Sequence, residues 1–333
     1  MQDTRVKLLC LIVTGLICAP IILFSPPVTH YVEHVKASAG VPASKTSPRA
    51  DDNLEIRVKE AAERYSEPPV NARIDPVWKA IPAYNGLAVD ESRTLALARE
   101  RGAEKPLKLV FREIPPDIQL EDLPPHPIYR GNERKPMVGL MVNVAWGTEH
   151  VRSLLHVLER EGVRATFFLD GSWLAKHADV AREIVKNGHE VGNHAYHHPQ
   201  MSRLTKAQMR REIEQTDELI EETLQVTSKY FAPPSGDFND QVVQTAAELG
   251  MKTVLWTADT VDWRKTTSPQ AMVKRVAPKI ENGTLVLMHP TDRTVKALPE
   301  IIRIIKEREL WPGTVDEVLS PARIPRVEAL PHI

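Results

Sequence analysis

Residues 138–145 read VGLMVNVA, an almost unbroken apolar run. Such a run, without polar alternation, is typical of a strand that is buried on both faces of a parallel sheet. Six further apolar or β-rich runs follow, separated by stretches with the 3.6-residue period of helices: Ala165–Leu169, Glu190–His194, Tyr230–Pro233, Thr253–Ala258, Thr284–His289 and Gly313–Val315. The pattern predicts an α/β fold with seven parallel strands, in a sheet that is either open or closed.

The region before this sheet differs in composition. Residues 54–123 contain an amphipathic stretch, a helical pattern around Glu91–Arg101 and a β-like run at Lys108–Ile114, which together predict a small accessory α/β domain. Prolines stiffen residues 124–136, which we expect to be a connector. Residues 137–320 would form the main domain and residues 321–333 a C-terminal tail.

The N-terminal segment carries the pattern of export. An apolar run at Leu8–Phe24 follows Arg5 and Lys7, so residues 1–25 are predicted to be a signal peptide or a signal anchor, with a linker at residues 26–53. The rest of the chain would then lie outside the cytoplasm, secreted or tethered to the membrane by this segment. Both cysteines, Cys10 and Cys18, fall within it, so the exported part has no disulfide framework.

Charge excludes one class of partner. The chain has 43 basic and 44 acidic residues and a formal net charge of -1. No global electrostatic field favours nucleic acid, and we expect none as a partner.

Polar residues gather where the predicted strands end, which is where parallel α/β folds place their reactive groups. His194 and His198 are four residues apart, a spacing that lets two imidazoles reach one metal ion, although a solvated turn has the same composition. His289 ends an apolar strand and is either a general acid or a hydrogen-bonded core residue. Asp262 and Trp263 follow another strand, and Trp263 could line a sugar groove or pack in the core.

The order of these strand ends carries a family resemblance, together with the segments NVAWG at 143–147, ATFFL at 165–169 and FAPPSG at 231–236. Residues 137–320 resemble the NodB-homology polysaccharide deacetylases of carbohydrate esterase family 4, and most of all the spore-former branch with its Trp-Gly first motif. The resemblance implies a distorted (β/α) barrel that removes acetyl groups from polysaccharides with one divalent metal ion.

The resemblance also implies roles for individual residues. His194 and His198 match the metal-binding histidines, and His289 matches the catalytic acid that Asp262 orients. Leu287 would line the pocket for the acetyl methyl group. Trp263, Tyr196 and Trp146 would contact the sugar.

Three positions depart from the family pattern. Asn143 stands where the family has the aspartate that acts as general base, Val144 replaces the metal-ligating aspartate, and Ala232 replaces the arginine that positions the base. An amide cannot take up a proton at neutral pH, and a buried arginine without its carboxylate would be an unpaired charge. Base and orienting residue are therefore absent together.

Two functions follow from this pattern. The first is metal-dependent deacetylation of an extracellular glycan such as peptidoglycan, with zinc bound weakly because catalytic zinc usually has three protein ligands, unless Glu149, Asp237 or Asp259 completes the set. The alternative is a catalytically impaired or inactive homologue that binds cell-wall glycan.

Overall fold

The computed structural model describes residues 50–102 and 104–324. The chain divides into two units, Met1–Arg57 and Val58–Ile333. Residues 50–57 are the described part of the first unit, and they lie in helix α1 (Ala50–Tyr65). The predicted signal or anchor segment lies outside the described residues. Within the described ranges, no helix has the length and apolar character needed to cross a membrane.

Two antiparallel strand pairs form the region that precedes the main sheet. Strand β1 (Arg73–Asp75) pairs with β2 (Lys79–Ile81), and β3 (Gly86–Val89) pairs with β4 (Phe111–Ile114). Helix α2 (Glu91–Arg101) connects β3 to β4 and begins where the Asp90 side chain accepts a hydrogen bond from the Arg93 amide. The helix and strand predicted here are confirmed, although the strand is shorter than the apolar run.

The main sheet is entirely parallel and alternates with helices. Its strands are β5 (Met137–Val144), β6 (Thr166–Leu169), β7 (Glu190–Asn193), β8 (Tyr230–Phe231), β9 (Lys252–Thr253), β10 (Ala258–Asp259), β11 (Thr284–Met288) and β12 (Trp311–Gly313). The helices are α3 (Thr148–Glu161), α4 (Gly171–Lys176), α5 (Ala178–Lys186), α6 (Lys206–Leu224), α7 (Asp240–Glu248), α8 (Pro269–Val276), α9 (Asp292–Glu307) and α10 (Val315–Leu319).

The strand order is β10-β11-β5-β6-β7-β8-β9, and β12 pairs with the first half of β5. This seven-stranded path confirms the predicted distorted barrel. Strand β5 shows how its two faces are used, because Val138, Leu140, Val142 and Val144 pack in the cluster that contains the helices. Met141 packs with Phe168 and Leu287 in a second cluster on the other face. Side chains alternate along a strand, so Asn143 shares its face with Met141.

The predicted run Thr253–Ala258 contains two short strands rather than one, and β9 and β10 lie at opposite ends of the strand order. The residues between them therefore bridge the two edges of the sheet. Ile128, from the proline-rich connector, fills this gap: its amide donates to the Thr253 carbonyl, and its own carbonyl accepts from the Leu255 amide. A connecting segment thus bridges the edges of the curled sheet, which periodicity could not reveal because neither strand is longer than two residues.

Candidate active site

A cavity of about 430 Å³ lies at the carboxyl ends of the strands. Its walls combine four apolar side chains with polar groups from several different strand ends: Asn143, Trp146, His198, Ser235, Trp256, Asp259, Trp263, Leu287 and His289. Trp146 and Trp263 are 43% and 47% exposed although both are large and apolar. Exposed indoles beside a concave, partly polar surface are typical of a ligand-binding site.

His289 is held by a buried carboxylate. The Asp262 side chain is fully buried, and its Oδ1 lies 2.8 Å from His289 Nδ1. Asp262 Oδ2 accepts hydrogen bonds from the His289 amide and from Thr294 Oγ1, both at 2.6 Å. Because Nδ1 is engaged by the carboxylate, Nε2 is the nitrogen that remains for the pocket.

Trp146 covers one face of this histidine. The two rings are almost parallel, with an interplanar angle of 9° and centroids 5.5 Å apart. Gly147 permits the close approach of the following turn, since its φ is 77° and a Cβ there would lie 2.1 Å from the Pro290 carbonyl oxygen. The Trp-Gly pair therefore packs directly on the His289-Pro290 strand end.

His194 is buried and electrically neutral. Its Nδ1–H donates to the Ala232 carbonyl at 2.7 Å, which leaves Nε2 as the unprotonated nitrogen. Burial lowers the pKa of this imidazole to about 3. His198 is exposed, and its ring centroid lies 5.1 Å from that of His194.

The loop that carries these histidines is fixed by protein hydrogen bonds. Glu212 Oε2 accepts from the Tyr196 and His197 amides at 3.0 and 2.8 Å, and Glu212 Oε1 lies 2.9 Å from His197 Nδ1. Asn193 Oδ1 accepts from the Ala195 amide at 2.9 Å. These bonds hold Ala195 and His198 at positive φ values of 59° and 55°.

Comparison with known proteins identifies this arrangement. Residues 130–254 match the family model for polysaccharide deacetylase. The chain is 44% identical over 273 residues to the uncharacterized protein YlxY of Bacillus subtilis, an alignment that covers 82% of this chain and 85% of that protein. It is 41% identical to the crystal structure of BA3943 from Bacillus anthracis, a pseudoenzyme of carbohydrate esterase family 4, with a TM-score of 0.76 over 81% of this chain and 96% of that one.

The chain belongs to the polysaccharide deacetylase family. A mutant of the same B. anthracis pseudoenzyme, 40% identical over 81% of this chain and 99% of that one with a TM-score of 0.76, is described as having restored enzymatic activity. A peptidoglycan-N-acetylglucosamine deacetylase of Bacillus cereus is 29% identical over 185 residues, or 54% of this chain and 67% of that protein. The deacetylases of this family hydrolyse acetylated polysaccharides and are generally metal-dependent.

The residues present do not fit the metal centre of an active deacetylase. Among the residues that the structure describes, no three His, Cys, Asp or Glu side chains are placed to hold one ion. Of the predicted third ligands, Asp237 binds Ser202 through both carboxylate oxygens, and Glu149 is 73% exposed beside His150. Asp259 lines the pocket, with Oδ1 accepting from the Val261 amide at 2.7 Å. Two imidazoles remain where catalytic zinc usually has three protein ligands.

The three positions that depart from the deacetylase pattern are all buried. Asn143 is 3% exposed, and Val144 and Ala232 are fully buried. Val144 packs in the apolar cluster on the helix side of the sheet, and Ala232 packs with Phe168 and Leu287 on the other side. Asn143 Oδ1 has no hydrogen-bond partner in the described part of the chain. Both replacements by apolar residues are thus part of the core packing.

The structure brings most predicted site residues together. Asn143, Trp146, His198, Trp263, Leu287 and His289 line one pocket, Asp262 supports His289, and His194 lies beside His198. Tyr196 is not among the pocket-lining residues, because its ring lies against Gly171 and His197. The contact of Tyr196 with the sugar stays a prediction.

Two pocket residues were not singled out from the sequence. Trp256 lies between β9 and β10 and faces the cavity, and Ser235 enters it at a positive φ of 57°. Trp256 belongs to the connection from β9 to β10, which reaches the pocket. The FAPPSG segment was a usable signal for Ser235, since its prolines and glycine indicate a tight turn.

Proposed function

We propose that this protein recognises an acetylated cell-wall glycan, most simply peptidoglycan, in the pocket between Trp146 and Trp263, outside the cytoplasm. Polysaccharide deacetylases bind acetylated glycans, and a peptidoglycan-N-acetylglucosamine deacetylase is among its relatives. The predicted export segment is consistent with a location at the cell wall and with tethering to the membrane.

The observation that carries the proposal is the composition of the pocket. Trp146, Trp256 and Trp263 present indole surfaces, and Leu287 contributes an aliphatic wall beside His289. Aromatic faces stack on the apolar faces of sugar rings, and an aliphatic wall fits an acetyl methyl group. A glycan can therefore bind here without a chemical step.

The same site lacks groups that hydrolysis needs. Asn143 cannot act as a general base, and loss of one such base typically costs on the order of a hundred- to ten-thousandfold in rate. A divalent cation such as zinc would have His194 and His198 as its protein ligands, so we propose weak binding. We therefore propose glycan recognition with impaired turnover.

Slow deacetylation is a second candidate, and the intact His289–Asp262 pair favours it. A histidine oriented by a buried carboxylate can protonate a departing amine. If this activity exists, His289→Ala should abolish release of acetate from N-acetylated peptidoglycan fragments and leave their binding within about twofold. An unchanged rate of release would exclude His289 as the acid.

Binding of the N-acetylglucosamine tetramer, measured by isothermal titration calorimetry, tests the principal proposal. We expect Trp263→Ala to weaken binding about tenfold, because a half-exposed indole contributes stacking area. Trp78→Ala is a matched control, since Trp78 contacts Tyr129 and Arg130 and does not line the pocket. Equal affinity for the parent and Trp263→Ala would remove this pocket from the glycan site.

A further inference from the structure

Asn143 carries an unused hydrogen-bonding atom at the base of the pocket. Its side chain is 3% exposed and lines the cavity, and Oδ1 has no hydrogen-bond partner among the described residues. A buried polar atom that lacks a partner costs about 1–3 kcal/mol, so such atoms are rare unless something else satisfies them. This acceptor is therefore available to a ligand that donates a hydrogen bond.

Strand register shows what lies next to this atom. Met141 on β5 pairs with Leu287 on β11 in the parallel sheet. Asn143 and His289 directly follow the last paired residues of these strands, Val142 and Met288, and both line the pocket. A small group that contacts Leu287 and His289 is therefore within reach of the Asn143 amide.

The other polar groups of the pocket differ from Asn143. His289 is engaged by Asp262, and Asp259 Oδ1 already accepts from the Val261 amide. His198 is exposed and exchanges hydrogen bonds with water at little cost. Of these pocket groups, Asn143 has the oxygen that water reaches least. A hydrogen bond from a ligand therefore lowers the free energy most at this residue.

We propose that Asn143 recognises the acetamide group, with its Oδ1 accepting a hydrogen bond from the N–H of an N-acetyl substituent. The methyl group then lies against Leu287. An O-acetyl ester has the same methyl and carbonyl groups but carries no hydrogen on the linking oxygen, so it leaves the acceptor unsatisfied. Replacement of the family's aspartate thus leaves a specificity-determining residue for N-acetylated glycans.

This inference rests on the proposed function, and a matched pair of ligands separates the two. Methyl 2-acetamido-2-deoxy-β-glucoside and methyl 2-O-acetyl-β-glucoside differ at one atom of the acetyl linkage. In titrations of the full chain followed by NMR, we expect the acetamide to bind about tenfold more tightly than the ester. This comparison needs no variant.

Two variants then test whether Asn143 causes the preference for the acetamide. Asn143→Leu removes the acceptor and should lower affinity for the acetamide to that for the ester. Asn143→Asp keeps an acceptor and should keep the preference. Asn187→Leu, at the exposed end of α5, is the control and should behave like the parent.

Each result is decisive. Equal binding of both ligands by the parent overturns the role of Asn143 and leaves glycan recognition standing. If Asn143→Leu still prefers the acetamide to the ester, another residue causes the preference, and the inference is overturned. Binding of neither ligand overturns both the inference and the proposed function.

Discussion

By resemblance, Asn143, Val144 and Ala232 are predicted to stand where the family carries a base, a metal-binding carboxylate and an arginine. All three side chains are buried and uncharged. A buried carboxylate or guanidinium is tolerated only with a partner, and two of these groups are partners of each other in the family. Their joint absence gives a strand end that needs neither a counter-charge nor a metal ion to stay folded.

A double-mutant cycle tests this dependence. Ala232→Arg alone should lower the free energy of unfolding by about 3–5 kcal/mol, because it buries an unpaired charge in an apolar cluster. Adding Asn143→Asp should restore part of the loss, with a coupling of about 1–3 kcal/mol in urea unfolding. Strictly additive losses would show that the two positions no longer interact.

His189 and Glu190 are adjacent residues whose titrations have opposite effects on stability. Burial lowers the pKa of His189 to about 4, so on acidification below pH 6.5 the unfolded chain takes up a proton that the folded chain does not. Burial raises the pKa of Glu190 to about 7, so between pH 7 and 4.5 the folded chain holds a proton that the unfolded chain lacks. Acidification therefore lowers the free energy of unfolding through His189 and raises it through Glu190.

Without the Glu190 carboxyl group, the pH dependence of stability should show the effect of His189 alone. We expect Glu190→Gln to lose stability more steeply than the parent as the pH falls from 6.5 to 4.5, by up to about 1.4 kcal/mol per pH unit. Urea unfolding across this range measures the slope, and the exposed Glu63→Gln is the control. Parallel slopes for Glu190→Gln and the parent would contradict the assignment.

At the scale of elements, the loop after β7 is organised from helix α6. Glu212 lies on α6, has a side chain that is 16% exposed, and accepts hydrogen bonds from two consecutive loop amides. The loop therefore owes its positive-φ conformation to the protein itself. These protein hydrogen bonds hold the turn in which the rings of His194 and His198 are close together.

Glu212→Ala tests this origin of the loop conformation. We expect a loss of about 2–4 kcal/mol in the free energy of unfolding and faster hydrogen exchange at the Tyr196 and His197 amides. Glu214→Ala on the same helix removes only an exposed ion pair with Arg210 and should cost less than about 0.5 kcal/mol. Similar losses for both variants would show that Glu212 does not hold the loop.

Much of the element level could be predicted from the sequence. Helix starts depend only on neighbouring residues: a capping box of Thr205 and Gln208 begins α6, and the Asn239 side chain accepts from the Val242 amide at the start of α7. The division of Thr253–Ala258 and the position of Trp256 could not be predicted, since both depend on barrel closure. The proximity of the Tyr196 ring to Gly171 could not be predicted either, since it joins the ends of two different strands.

At the scale of the whole second unit, the proline-rich connector completes the barrel. Ile128 is 1% exposed, and it bridges to Val254 in the gap between β9 and β10 and to Lys79 in β2. Arg130 forms a further bridge to Thr284 at the start of β11. The region before the sheet therefore contributes to the stability of the sheet itself.

Ile128→Ala should destabilise the barrel as a whole. We expect a loss of about 2–5 kcal/mol in the free energy of unfolding, which is typical of truncating a buried isoleucine. Val77→Ala, at a position that is 69% exposed, should change it by less than about 0.5 kcal/mol. Both values come from urea unfolding, and a loss below about 1 kcal/mol for Ile128→Ala would show that the connector does not seal the barrel.

The central claim is that the pocket binds an acetylated glycan and turns it over poorly. Saturation-transfer NMR on the full chain with the N-acetylglucosamine tetramer and added zinc reports both properties in one sample, through the acetyl methyl signal and the signal of free acetate. We expect the methyl group to receive saturation, and no free acetate to accumulate overnight. Release of several equivalents of acetate per chain, abolished in His289→Ala, would contradict the account. A methyl group that receives no saturation would also contradict it.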